Sequence, residues 1–279
     1  MDSKELIKNG QLGEARAALV NEVKNRPGDP ASRTLLFQVL LFCGEWDKAN
    51  RHLEILAELD PQLSLTVAQY QNLLTCERQR EAVCAGRELP SYLPEPPAYF
   101  HQWHTALQGL RDGDDEHAAA RMQTLVETLP VVSGTINGQD FTGLRNADDS
   151  LAHALEIFAH DRYVWVPFED IRELTVNAPQ SLIDLMWIPA SLTTWGGLSM
   201  NGFLPVLYPL SYQQPDERVR LARMTDWIPL GTAGYRGVGQ QVLLFGETDI
   251  PLLEIREMRG KAGNSSTTSD TEPSSAGEQ

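Results

Sequence analysis

The sequence has few cysteines and no long apolar run. The three cysteines, Cys43, Cys76 and Cys84, form an odd and sparse set in apolar helical surroundings, which argues against a disulfide framework and favours a reducing compartment. The longest apolar stretch, residues 35–42, is far shorter than the roughly 20 residues that cross a bilayer, and residues 1–10 contain no apolar signal-peptide core. These absences predict a cytoplasmic protein without a membrane span.

The sequence also has fewer basic than acidic residues. The chain has 23 lysines and arginines against 38 aspartates and glutamates, a formal net charge of −15 at pH 7. A chain of this charge is repelled by polyanions, so neither nucleic acid nor an anionic membrane is an expected partner. The simplest role of the charge is solubility.

The motifs of common nucleotide-binding and hydrolytic sites are missing. The stretch "GTAGYRGVGQQ", residues 231–241, is rich in glycine, but a strand-like run follows it. A dinucleotide site needs a strand, then G-x-G-x-x-G, then a helix. The chain also has no Gly-Lys-Ser/Thr and no G-x-S-x-G. The glycines therefore predict a tight loop between strands, and we assign no catalytic or cofactor-binding residue.

Metal-binding patterns are equally weak. His101 and His104 share one face of a predicted helix, but two ligands make a poor site and no carboxylate completes an E-x-x-H pattern nearby. The adjacent Asp148 and Asp149 lie in "NADD" before an apolar run, where a turn or a helix cap explains them. No metal is predicted.

What the sequence does contain is a repeat. Residues 10–27 align with residues 44–61 at an offset of 34, which places glycine on glycine, alanine on alanine and proline on proline. Residues 112–130 repeat the alanine-to-proline ladder. A small alanine lets two helices approach, and proline ends the second helix. The period resembles the tetratricopeptide repeat, with a generic helical bundle as the alternative.

The pattern changes after residue 130. Short runs with β-branched residues alternate with Gly, Pro and Asn breakers, and Asn137-Gly138 is a hairpin signal. The predicted strands are 163–168, 171–176, 185–192, 203–210, 240–246 and 251–258. Residues 148–161 fit a helix or a strand. The predicted class is α+β: a tetratricopeptide-like helical-repeat domain (1–130), a mainly β domain (131–259) and a disordered tail (260–279) without large apolar residues.

Four phrases of the β half, taken in order, resemble the ImpE family, also called SciE or TagJ. They are "DRYVWVPFEDIREL", "PQSLIDLMWIPASL", "GFLPVLYPLSY" and "RLARMTDWIPLG" with the following "GVGQQ". Two positions depart from the family pattern: Ala222 stands where glycine is usual, and Gln241 where arginine is common. The first can alter a local turn and the second an ion pair.

The resemblance implies a cytoplasmic, non-enzymatic adaptor of the bacterial type VI secretion system. Family members bind a helical segment near the N-terminus of the small contractile-sheath subunit, and are linked through it to the ClpV-type AAA+ ATPase. The alternatives left open are an enzyme with an unrecognised site in the β half and a generic peptide-binding chaperone.

A partner helix is expected in the groove lined by the first helix of each pair. The predicted partner-binding residues are Thr34, Gln38, Leu41, Phe42, His101, His104 and Gln108. A helix would lay its apolar face on Leu41 and Phe42, with the polar groups setting its register. The alternative is that Leu41 and Phe42 are core residues and that the partner binds exposed aromatics of the β half.

Overall fold

Helices fill the first half of the computed structural model, which describes residues 2–262. The predicted tail therefore lies outside the described residues from position 263 onward, while Gly260 is the last residue of a strand. The helices are α1 (Ser3–Lys8), α2 (Leu12–Asn25), α3 (Pro30–Phe42), α4 (Trp46–Leu59), α5 (Ser64–Cys84), α6 (Ala98–Arg111), α7 (Asp115–Thr128) and, in the second half, the short α8 (Glu217–Arg220).

Glycines end the first helix of each pair, as the repeat predicts. Gly10, Gly44 and Gly113 follow α1, α3 and α6 with φ of 80°, 67° and 84°, a region that glycine enters without a steric penalty. Each glycine amide bonds back to a carbonyl of the last helical turn. In the next helix Ala15 and Ala49 have no exposed surface, so two backbones meet closely there. The helical front predicted from the period is confirmed.

Strands dominate the second half. They are β1 (Ser91–Tyr92), β2 (Ser133–Ile136), β3 (Gln139–Thr142), β4 (Arg145–Asn146), β5 (Ala154–Ala159), β6 (Arg162–Pro167), β7 (Ile171–Val176), β8 (Trp187–Thr194), β9 (Ser199–Pro205), β10 (Thr225–Pro229), β11 (Tyr235–Gly239), β12 (Val242–Phe245), β13 (Thr248–Pro251) and β14 (Glu257–Gly260). All strands except β1, which lies between α5 and α6, follow helices α1–α7, so the predicted α+β class is confirmed.

A large sheet organises these strands in the order β1-β6-β5-β9-β8-β7-β14-β2-β3. Its pairs are antiparallel except that of β1, which comes from the helical half and runs parallel to β6. Two smaller sheets accompany it within residues 2–262: the hairpin β10-β11, and β13-β12-β4. Strand β1 of the helical half therefore forms one edge of the large sheet.

The individual strand predictions succeed in part. Residues 148–161 contain the strand β5, whose six residues are all buried, so periodicity does not separate it from a buried helix. The predicted strand 251–258 is wrong in its middle, because a 3-10 turn at Leu252–Glu254 separates β13 from β14. The prediction for 203–210 runs too far, since β9 ends at Pro205.

One apolar core crosses from the helices to the sheet. The Phe37 ring of α3 lies 5.3 Å from the Tyr70 ring of α5, and Tyr70 stacks on Trp187 of β8 at 6.5 Å. Most buried residues of both halves belong to the same cluster around this chain of rings. A smaller second cluster is formed mainly by α6 and α7 and includes Ala152 of the second half. Whether the halves fold as separate domains stays a prediction, but both contribute residues to each cluster.

Candidate functional site

The groove expected to receive a partner helix is filled by the chain itself. Leu41 and Phe42 have no exposed surface. The space beside them is only about 20 Å³ and is lined by Trp46, Tyr208 and Tyr212 among others. The alternative reading, that Leu41 and Phe42 are core residues, is the one their burial supports.

The filling comes from residues 207–223, which we call the clamp segment. The Glu217 carboxylate accepts hydrogen bonds from the first two amides of α2, at 2.6 and 2.8 Å. Arg223 donates to the last two carbonyls of α1, at 2.8 and 2.9 Å, and Arg220 donates to the last carbonyl of α3 at 3.3 Å. An anion at a helix N-terminus and cations at helix C-termini match the helix dipoles. The clamp segment thus binds the C-termini of α1 and α3 and the N-terminus of α2.

The other predicted partner residues divide between surface and interior. Thr34 and Gln38 are half-buried on α3, whereas His101 and Gln108 are exposed on α6. His104 stacks on Trp165 with ring centroids 5.1 Å apart, and its ring nitrogen shares a hydrogen bond with the Tyr92 hydroxyl.

The setting of His104 keeps its ring neutral. Burial lowers the pKa of His104 to about 4, with smaller contributions from the Arg111 and His101 charges. A neutral, stacked ring at pH 7 suits a structural role, which leaves His101 and Gln108 as the most exposed members of the predicted set, with Thr34 and Gln38 half-buried.

The glycine-rich stretch is the β10-β11 hairpin, and its backbone amides already bind carboxylates. Asp149 accepts from the Tyr235 amide at 2.8 Å, and Asp148 accepts from the Gly237 amide at 3.0 Å. A Cβ on Gly234 would lie 2.1 Å from an Asp149 oxygen. These glycines therefore make room for acidic side chains, and the negative charge beside the amides disfavours a phosphate.

A buried charge cluster joins the halves and went unrecognised in the sequence. Arg80 of α5 forms a bidentate pair with Glu156 of β5, at 2.7 and 2.6 Å, and lies 3.6 Å from Glu77. Tyr163 and Gln241 also donate to Glu156. Burial raises the pKa of Glu77, because a low-dielectric site disfavours its charge. The sequence did contain one indication of this cluster, a lone glutamate inside the apolar run "ALEIFA". A buried carboxylate at such a position needs a partner to stabilise it.

The two departures from the family pattern have local effects. Ala222 adopts a φ of 57°, in the left-handed region that favours glycine. Gln241 is 3% exposed and donates to Glu156 at 2.7 Å and to the Pro205 carbonyl at 2.8 Å. Because Gln241 is neutral, Arg80 is the cation that the buried carboxylates of Glu77 and Glu156 share.

Exposed apolar side chains of the β half gather on its hairpins. The β10-β11 hairpin presents Trp227, Ile228 and Tyr235, of which Tyr235 is 57% exposed. Trp195 and Leu198 are exposed at the turn between β8 and β9. Aromatic residues are enriched at binding hot spots, so these hairpins are the second candidate surface.

The fold defines an α+β protein in which a short helical repeat and a mainly β half share their main core. Within residues 2–262 every helix is too short or too polar to pass through a lipid bilayer. The same part of the chain holds no group of three or more His, Cys, Asp or Glu placed to bind a metal ion.

Comparisons with known sequences identify the family of this chain. Residues 138–259 match the ImpE family, described as ImpE protein. The type VI secretion system accessory component TagJ of Pseudomonas aeruginosa is 33% identical over 258 residues, which cover 92% of this chain and 90% of that protein. The chain therefore belongs to the ImpE family.

A solved structure supports the fold. The crystal structure of a protein from Vibrio parahaemolyticus superposes with a TM-score of 0.85 and covers 93% of this chain and 97% of its own. Its sequence identity is 21%, so this likeness shows the fold alone.

Proposed function

We propose that the protein is a non-enzymatic, cytoplasmic adaptor of the bacterial type VI secretion system. It binds a helical segment near the N-terminus of the small contractile-sheath subunit and links that subunit to the ClpV-type ATPase. The similarity to a type VI accessory component over 92% of the chain carries this proposal. The structure adds support, because the hairpin amides that a nucleotide phosphate would need already bind Asp148 and Asp149.

The helical face of α6 is the favoured contact surface for the sheath segment. His101, Thr105 and Gln108 follow one another at spacings of four and three, so they form one stripe along α6. Thr105 also lines an open groove of about 620 Å³ between α6 and α7. An amphipathic helix lying in this groove would meet His101 and Gln108 at its rim. Thr34 and Gln38 form a secondary contact on α3, and Leu41, Phe42 and His104 support the fold beneath.

The test is binding of the purified protein to each sheath subunit, expressed separately, by isothermal titration calorimetry. The double variant His101→Glu with Gln108→Glu adds charge to two exposed positions and leaves the core intact. A matched control, Gln62→Glu with Thr66→Glu, adds the same charge to exposed positions near the start of α5. We expect the α6 variant to bind the small subunit at least about tenfold more weakly, and the control to bind normally.

Two results would contradict parts of the proposal. If wild-type protein binds neither sheath subunit, alone or co-expressed, the sheath adaptor function is wrong. If the α6 variant binds normally while Ile228→Ser with Tyr235→Ser abolishes binding, the partner docks on the β10-β11 hairpin and the α6 surface is wrong. Circular dichroism of each variant confirms that the fold is retained.

A further inference from the structure

A cavity of about 200 Å³ lies where the C-terminal end of α5, helix α6, strand β6 and the β10-β11 hairpin meet. Leu107, Leu110 and Trp165 form apolar walls, and Arg111 and Arg236 are the charged residues of its lining. It is smaller than the roughly 300–1,000 Å³ of pockets for drug-sized ligands, so an occupant has to be small.

Among residues 2–262, neither arginine lies within salt-bridge distance of a carboxylate. Arg111 donates to the carbonyls of Val83 and Cys84, both at 3.2 Å, and thereby provides hydrogen bonds to the last two carbonyl groups of α5. Arg236 places Nη1 3.5 Å from the Cys84 sulfur, and its Nε is buried without a hydrogen-bond acceptor.

The buried acid that interacts electrostatically with Arg236 is engaged elsewhere. One oxygen of Asp148 accepts from the Gly237 amide at 3.0 Å, and the other accepts from the Ser150 amide and hydroxyl at 2.8 and 2.6 Å. Burial raises the pKa of Asp148 to about 6, so at pH 7 its carboxylate remains mostly ionised and attracts Arg236 without a direct hydrogen bond to it. Asp148 therefore orients the hairpin and the preceding loop, and leaves the guanidinium of Arg236 free to bind another anion.

The two arginine charges also oppose each other. Burial lowers the pKa of Arg111 most; Arg236 also lowers it, while Cys84 and Asp112 raise it. A water molecule in the cavity does not offset these two positive charges, whereas an anion does. In a protein of net charge −15, a cavity whose charged lining residues are both arginines is an unusual local concentration of positive charge.

We propose that this cavity binds a small organic carboxylate. A planar carboxylate accepts the parallel hydrogen bonds that a guanidinium donates, and it offsets the charge of Arg236 and Arg111 together. The apolar walls from Leu107, Leu110 and Trp165 take the hydrocarbon body of the ligand. This site is independent of the partner surface proposed on α6, and it gives the hairpin a ligand-dependent contact with α5 and α6.

The probe is benzoate, added to the purified full-length protein and measured by isothermal titration calorimetry. We expect saturable binding with a Kd of about 1 mM or tighter, and binding at least about tenfold weaker for benzyl alcohol, which has a similar shape without the charge. Arg236→Met should weaken benzoate binding by at least about tenfold. Arg259→Met, which removes an exposed arginine in a surface ion pair, should change nothing.

A second measurement needs no variant of the cavity. Benzoate should slow alkylation of Cys84 by N-ethylmaleimide, followed by mass spectrometry, because Cys84 lines the cavity. Cys43 is half-buried outside the cavity lining and serves as the internal control. An absence of saturable benzoate binding, an unchanged rate at Cys84, or full binding by Arg236→Met would each overturn the proposal. Tighter binding of inorganic phosphate than of benzoate would overturn the assignment to carboxylates.

Discussion

Replacing Arg80 by methionine should break the buried ion pair that joins the helical half to the β half. Arg80 is 2% exposed, and its guanidinium reaches both oxygens of Glu156 at 2.7 and 2.6 Å and the Leu207 carbonyl at 2.7 Å. Methionine fills a similar volume without charge. Among the residues that the structure describes, the variant leaves the buried Glu156 carboxylate with Tyr163 and Gln241 as its remaining side-chain donors.

The expected loss of unfolding free energy is about 3–5 kcal/mol, because removing one partner of a buried pair leaves an uncompensated charge. This is a large part of the ~5–15 kcal/mol that stabilises a typical domain. The double variant Arg80→Met with Glu156→Gln should cost about 1–3 kcal/mol less than the sum of the two single variants, since it removes the stranded charge. Arg78→Met is the matched control: it lies on the same helix in an exposed pair with Asp47, and should cost below about 0.5 kcal/mol.

The measurement is urea denaturation followed by far-UV circular dichroism, with hydrogen exchange of α5 and β5 peptides read by mass spectrometry. Because one core spans both halves, α5 and β5 should lose protection together in Arg80→Met. A loss confined to α5 would show that the halves unfold independently. A cost for Arg80→Met no larger than that for Arg78→Met would refute the energetic argument.

Four further outcomes are expected. Glu217→Ala should lower the unfolding free energy by about 1–2 kcal/mol in thermal denaturation, because two amides of α2 lose their acceptor, while the exposed Glu247→Ala should have little effect. Gly237→Ala should cost about 2 kcal/mol or more in urea, since its Cβ would lie 2.2 Å from the Tyr208 ring. Burial, with a smaller contribution from a nearby arginine, lowers the pKa of His153 to about 4, so only the unfolded chain takes up this proton as pH falls from about 6.5 to 4. Wild type should lose stability across that window, and His153→Phe should lose up to about 1.4 kcal/mol less per pH unit; a parallel pH profile would contradict this. Equilibrium dialysis should detect no binding of ATP or NAD, and saturable binding of either would revive the enzyme alternative.

The helical repeat and the β character of the second half were readable from the sequence because both depend on local physics. Gly10 and Gly44 end helices at equal spacing, since only a residue without Cβ enters the left-handed region freely. In the helix that follows each of these glycines, Ala15 and Ala49 are fully buried where two helices pack closely. Short β-branched runs between breakers likewise place most strands, apart from β5, whose complete burial removes the alternation that identifies a half-exposed strand.

The tertiary structure alone decided which predicted groove residues remain accessible. Glu217 caps α2 across 205 positions of sequence, and Arg220 reaches the end of α3 across 178. Contacts at such separations leave no periodic signal, because each partner also looks like an ordinary surface charge. The clamp segment consequently fills the groove beside Leu41 and Phe42, and a stripe of apolar residues typical of a binding face becomes core. The cavity between Arg111 and Arg236 has the same origin, since its walls meet only when α5, α6 and the hairpin converge.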